Sequence, residues 1–249
     1  MIYNPYFESA GIDAVVMPMG VMAEDYESAL RTIFKFTNIR GALITMPHKV
    51  ITCGLVDELS PTAQIAGACN AILLRSDGTL LGDMFDGAGF VRGASRKGVK
   101  LDGARVLVVG SGGVGCAIAA SLAATGIAEI GLSDRNAASS DGLATRLRNH
   151  YTALKVTTGS NDPAGYDVVV NATPMGMNEG DELPMNVSRI ASTTFVGEVV
   201  MKSEMTAFLA RRRRVVARCR SAPTCCSSKS RRTWNSLVSR QPHLRCCAR

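Results

Sequence analysis

The chain has 249 residues, of which 46% are hydrophobic and 20% charged, with a formal net charge of +7. That is enough apolar material for one large core or two modest ones. It holds no run of about 18 consecutive apolar residues, and "MIYNPYFESAG" lacks the basic-then-apolar order of a secretory signal, so neither a membrane span nor an export signal is expected and the expected compartment is the cytoplasm.

The positive charge is local. Residues 211–249 carry 12 of the 28 Lys and Arg and none of the 21 Asp and Glu, which leaves the first 210 residues mildly acidic. Cysteines divide the same way. Cys53, Cys69 and Cys116 lie in apolar surroundings and read as small buried thiols, whereas Cys219, Cys225, Cys226, Cys246 and Cys247 lie in the basic tail. The tail shows neither helical nor strand periodicity and reads as a solvated, disordered extension. An arginine cluster can bind nucleic acid, but Trp234 is its one aromatic residue, which gives no stacking platform. Its cysteines and His243 come as adjacent pairs rather than at zinc spacing, so no metal is expected.

The first third reads as an α/β unit. "IDAVVMPM" and "RGALITM" are expected strands, and "EDYESALRTIFKFTN" between them carries Tyr26, Ala29, Leu30, Ile33 and Phe34 at helical spacing. Strand, helix, strand implies parallel pairing. "TMPHKV" then ends an apolar run on Lys49, either a strand reaching solvent or an amine placed for chemistry. "SPTAQIAGACNAILL" predicts a helix followed by a strand, with Asn70 near the junction. "TLLGDM" leads into "FDGAGFVRG", where Asp86 precedes a linking helix. The connector "GASRKGVKLDGA" sets the expected boundaries: a first domain over 1–92, a second over 93–210, and the tail over 211–249.

The second domain reads as a Rossmann unit. In "ARVLVVGSGGVGCAIAASLAATG" a β-branched strand runs into a glycine turn and an alanine-rich helix. Gly110, Gly112 and Gly115, with Gly113 in the same turn, fit G-x-G-x-x-G. The first glycine permits the tight turn, the second lets backbone approach a pyrophosphate, and the third packs helix on strand. The helix N-terminus offers free N–H groups to that phosphate. The next strand, "AEIGLS", ends on Asp134, about 20 residues on, where a ribose-binding acid belongs. Further strands are expected at "LKVTT", "YDVVVNAT" and "TTFVGEVV".

"TMPHK", "DELSPTAQIAGACN" and "FDGAGF", followed by the glycines and by "NATPMGM" at Asn171 to Met177, resemble the shikimate dehydrogenase family, which includes quinate/shikimate dehydrogenases. The resemblance covers most of Asn4 to Leu209. It implies an NAD(P)-dependent oxidoreductase that interconverts a cyclic polyol acid such as shikimate or quinate and its 3-dehydro ketone. That is a step of the shikimate pathway of aromatic amino acid biosynthesis. It further implies Lys49 and Asp86 as the catalytic pair, Thr45 and Asn70 as substrate contacts, and Asn171, Thr173 and Met175 as the loop beside the nicotinamide. A lysine ammonium is ordinarily charged near neutral pH and serves the ketone-reducing direction as a proton donor. In the opposite direction Asp86 could share the proton as a paired base.

Several family positions differ here. Leu43, Ala71, Met84, Phe85 and Met201 replace polar groups, each removing a hydrogen-bond partner worth ~1–3 kcal/mol from the expected polyol pocket. The family's opening strand and S-x-S-P loop precede the point where this chain begins. At the other end the likeness stops near Ala210, which reads as the product of a shifted reading frame. Cofactor choice stays open: Asp134 favours NAD, whereas Arg135 matches the family's phosphate-binding arginine and favours NADP. Two other readings are a methylenetetrahydrofolate dehydrogenase-like enzyme and a Rossmann binding protein without turnover.

Overall fold

The computed structural model describes residues 3–178, 180–200 and 206–214, the last four of these by backbone alone. Two sheets are joined through packed helices. The first, built from β1 (Gly41–Leu43), β2 (Glu58–Leu59), β3 (Ala71–Leu74) and β4 (Leu80–Asp83), has the order β1-β3-β4-β2. The second, built from β5 (Arg105–Val109), β6 (Glu129–Ser133), β7 (Lys155–Thr158), β8 (Val168–Asn171) and β9 (Phe195–Glu198), is wholly parallel with the order β7-β6-β5-β8-β9. This is the doubly wound α/β arrangement expected from the strand-turn-helix pattern.

The helices follow their local signals. α1 (Tyr3–Ser9) buries Phe7, and α2 (Tyr26–Ile33) buries Tyr26 and Leu30 on one face. α3 (Pro61–Ala66) starts with Ser60 accepting from the Ala63 N–H and proline in its first turn, and stops at Gly67 with φ of 64°. α4 (Asp86–Arg96) and α5 (Gly113–Ala123) follow, then α6 (Ala137–His150), capped by the Asn136 side chain, and α7 (Ala207–Arg214). Nine residues of α5 are buried, as suits a helix between two layers.

The largest core cluster lies between α3, α4, α5, α6 and the second sheet: Ile65 of α3, Met84 and Phe90 share it with Ile118 of α5, Val108 of β5 and Leu143 of α6. The contact between α4 and α5 is close enough that a Cβ on Gly87 would lie 1.9 Å from the Ala117 carbonyl oxygen. Glycine is therefore required there by backbone-to-backbone approach, and the residue after Asp86 is packed against the helix that begins at the glycine turn.

The first sheet departs from expectation in two ways. Residues 12–19, read as a strand, form no strand and have no strand partner among the described residues, with Val15, Met17 and Met19 about two-thirds exposed. The Asn4 side chain takes both the N–H and the C=O of Val16, at 2.8 and 3.1 Å, where a neighbouring strand would have paired. β1 instead pairs antiparallel with β3, so the sheet is mixed, its one parallel pair being β2 with β4. An apolar run marks a stretch that can be buried; it does not supply the ladder.

The connector also differs. α4 continues to Arg96, through the expected boundary between 92 and 93, so the chain passes from one sheet to the other along a helix. Arg211–Arg214, assigned to the tail from sequence, continue α7. The remaining tail, with its cysteines, His243 and Trp234, lies outside the described residues, as does Met201. No helix among the described residues is long and apolar enough to cross a membrane.

Candidate active site

The site is assembled from three backbone junctions of the first sheet. Ile44, just past β1, donates its N–H to the Asn70 carbonyl at 2.9 Å, and Asn70 donates its own N–H to the carbonyl of Asp83 at 2.9 Å. The turn carrying Lys49 is tied in by the Cys69 N–H, which donates to the Lys49 carbonyl at 2.8 Å. That turn is further braced by α2: the Tyr26 ring stacks on His48 with centroids 4.0 Å apart, and its hydroxyl shares a 2.7 Å hydrogen bond with Thr52. Burial raises the Tyr26 phenol above its ordinary value, keeping it a neutral strut. The turn after the apolar run of residues 41–46 thus holds Lys49 against Cys69, beside Asn70.

Lys49 Nζ meets Asp86 Oδ2 at 2.7 Å, with the lysine side chain 24% exposed and the aspartate 8%. Asn70, itself buried, donates through Nδ2 to the other carboxylate oxygen at 2.6 Å, and its Oδ1 accepts from the Phe85 N–H at 2.9 Å. Asp86 is the first residue of α4, where the helix dipole favours a negative charge. Its carboxylate is therefore held by an ammonium, an amide and a helix N-terminus. One edge of the pair is open to solvent through Lys49. Asn70, expected as a substrate contact, here orients the aspartate. Thr45 lies exposed at the start of the lysine turn.

On the nucleotide side, Gly110 has φ of 104°, and a Cβ there would come within 2.7 Å of Ala172 backbone atoms. A Cβ on Gly115 would lie 1.9 Å from the Gly110 carbonyl oxygen. These two glycines are demanded by the fold. Gly112 and Gly113 face open space, with nothing within 4 Å of a Cβ, which leaves room at the start of α5 for a pyrophosphate. Ser111, between Gly110 and Gly112, is 6% exposed, and its hydroxyl has no hydrogen-bond partner among the described residues. An orphaned hydroxyl inside a glycine turn fits a phosphate oxygen.

Asp134 accepts from the Ser111 N–H at 2.6 Å and from the Asn136 N–H at 2.8 Å, so it braces the glycine turn. Arg135 beside it is exposed. Two later arginines are committed elsewhere: Arg146 Nε donates to the Ile65 carbonyl at 2.6 Å, tying α6 to α3, and Arg148 donates to Val156 at 2.8 Å.

The loop after β8 is organised by Asn171. Its Oδ1 accepts from the Thr173 N–H at 3.1 Å and from the Thr173 hydroxyl at 2.6 Å, while Nδ2 donates to the Met175 carbonyl at 3.1 Å. Nδ2 also donates to Glu198 at 2.7 Å. Sequence reading missed Glu198 and Ser111, because each gains its place from a partner distant in the chain or from burial. Of the divergent positions, Ala71 and Met84 are buried within cores, Phe85 packs against Ala71 and Leu73, and Leu43 sits partly exposed at the end of β1.

The chain is similar to known proteins along both sheets. A family model described as the shikimate dehydrogenase substrate binding domain matches residues 1–72, and one described as the ThiF family matches residues 91–146, the span of the glycine turn. The shikimate dehydrogenase (NADP(+)) of Rubrobacter xylanophilus is 37% identical over 186 residues, covering 74% of this chain and 65% of that protein. The enzyme of the same name from Paramagnetospirillum magneticum is 32% identical over 213 residues, covering 84% of this chain and 76% of its own. Among solved structures, shikimate 5-dehydrogenase from Listeria monocytogenes, in complex with shikimate and NAD, superposes with a TM-score of 0.85 at 24% identity, over 96% of this chain and 86% of that one. Similarity that runs at this level through both sheets places the chain in the shikimate dehydrogenase family.

Proposed function

We propose that this chain is an NADP- or NAD-dependent oxidoreductase that interconverts the ring hydroxyl of shikimate, or a quinate-like cyclic polyol acid, and the corresponding ketone. The observation that carries the reading is the 2.7 Å contact between Lys49 and Asp86, on an element packed directly against the helix of the glycine turn. Residues 1–92 supply the substrate side and residues 93–210 the nucleotide side.

The bound dinucleotide supplies or accepts hydride. Everything else falls to the chain. As the ketone oxygen gains negative charge, Lys49 donates it a proton, and Asp86 keeps the amine aimed. In the oxidising direction the pair receives the hydroxyl proton. Gly112, Gly113 and Ser111 would hold the pyrophosphate, Asp134 and Arg135 would meet the adenosine ribose, and the Asn171–Met175 loop would flank the nicotinamide. Arg135 beside Asp134 supports NADP, as do the names of the relatives; the NAD in the Listeria complex supports keeping both.

The deciding experiment is reduction of NADP and of NAD by shikimate and by quinate, with Lys49→Ala and Asp86→Ala beside the parent. Each substitution is expected to lower turnover by about 10²-fold or more. Near-parental rates in both variants would remove the assignment.

A further inference from the structure

Glu198 and Asn171 form the last register pair between β9 and β8 and are 1% and 0% exposed. Glu198 Oε1 accepts from Asn171 Nδ2 at 2.7 Å, and Oε2 accepts from the Thr206 hydroxyl, which in turn accepts from the Leu209 N–H at 3.2 Å. Among the described residues no basic side chain pairs with this carboxyl. Burial pushes it above its ordinary value, against the two hydrogen bonds that favour the charged form. A buried, unpaired carboxyl group is costly, and an apolar residue would serve packing better.

Its geometric consequence lies in Asn171. An amide has a donor end and an acceptor end, and only one orientation satisfies this loop: Oδ1 toward the Thr173 N–H and hydroxyl, Nδ2 toward the Met175 carbonyl. Glu198, an acceptor at Nδ2, enforces that orientation; the flipped amide would face oxygen with oxygen there and N–H with N–H at Thr173. The loop so fixed abuts the glycine turn, since a Cβ on Gly110 would lie 2.7 Å from Ala172 and 2.9 Å from the Thr173 nitrogen.

We propose that Glu198 is a positioning residue: by fixing the Asn171 amide it holds the Thr173–Met175 loop in the shape that receives the nicotinamide half of the dinucleotide. The nucleotide part of this rests on the function proposed above; the clamp itself does not.

The test uses the full chain with Glu198→Ala and Glu198→Gln. Amide hydrogen exchange without nucleotide reads the clamp: exchange at Thr173, Met175 and Gly176 rises in Glu198→Ala and returns toward parental in Glu198→Gln, whose carbonyl still accepts from Asn171. Calorimetric titration and steady-state kinetics read the function: Glu198→Ala raises Kd and KM for the dinucleotide by about tenfold, the loss of one buried charged hydrogen bond, while KM for shikimate moves less than about threefold. A purely structural role would lower the melting temperature without that split. Unchanged loop exchange in a folded Glu198→Ala protein overturns the proposal, as does an equal rise in both KM values. A parental chain that binds neither nucleotide, with the exchange result as expected, overturns the function and leaves the clamp standing. If Glu198→Ala does not fold, Asn171→Asp, which sets two carboxyl groups face to face, must loosen the same amides; parental exchange there also overturns it.

Discussion

Asn70 donates to one oxygen of Asp86 at 2.6 Å while Lys49 occupies the other at 2.7 Å, so a single carboxylate is fixed from both sides. The amide leaves the aspartate one useful rotamer, and the lysine is aimed by that rotamer. Removing the amide frees the pair to swing. Asn70→Ala is therefore expected to lower kcat by about 10- to 100-fold, in line with losing a hydrogen bond to a charged group, with little change in dinucleotide KM. Steady-state kinetics with shikimate varied decide it, and parental kcat would show that Asp86 is held without Asn70.

Ser111 carries an opposed pair of effects. Among the described residues its buried hydroxyl has no partner, so Ser111→Ala removes an unsatisfied group and is expected to stabilise by about 1 kcal/mol. The same change deprives a phosphate oxygen of a donor and weakens dinucleotide binding several-fold. Melting curves and titration on one preparation test both signs together; a destabilised variant with parental affinity would contradict the placement.

The glycine turn divides into required and permissive positions. Gly115→Ala would drive a methyl to 1.9 Å from the Gly110 carbonyl oxygen and is expected to cost about 1–3 kcal/mol or more, with loss of nucleotide binding. Gly113→Ala meets open space at the first residue of α5, so the unliganded fold should tolerate it. Chemical denaturation of the two variants, side by side, gives the comparison, and equal stability would mean that the turn relaxes.

Glu198 also gives the stability a pH dependence of known sign. Its carboxyl titrates above the ordinary value of 4.5 in the folded chain because it is buried. A group raised on folding contributes its full share below the unfolded value, and that share is lost as pH rises through the folded value. Relative to Glu198→Gln, the parental chain should lose stability as pH climbs from the ordinary carboxylate range through the raised value, then level off. Thermal melts of both proteins from about pH 4 to 8 would show it; a difference independent of pH would mean that Glu198 ionises as freely folded as unfolded.

Much of the second sheet was legible because its signals are local. β-branched runs end on Gly110, an alanine-rich helix follows, and Asp134 closes the next strand; β5, α5, β6, β7, β8 and β9 all lie where those patterns predict. Lys49 and Asp86 were named from motif resemblance, 37 residues apart, with nothing in either segment to show that they touch.

What the chain order by itself determined, then, was which stretches could be buried and where backbone had to turn, since apolar spacing and glycine act within a few residues. Tertiary structure alone decided the rest. Residues 12–19 carry the apolar run of a buried strand yet form no ladder among the described residues, because pairing depends on a neighbour that propensity cannot supply. Asn70 became a brace for Asp86, and Glu198 a brace for Asn171 across 27 residues, because a polar group in a low-dielectric interior takes its role from the partner the fold brings to it.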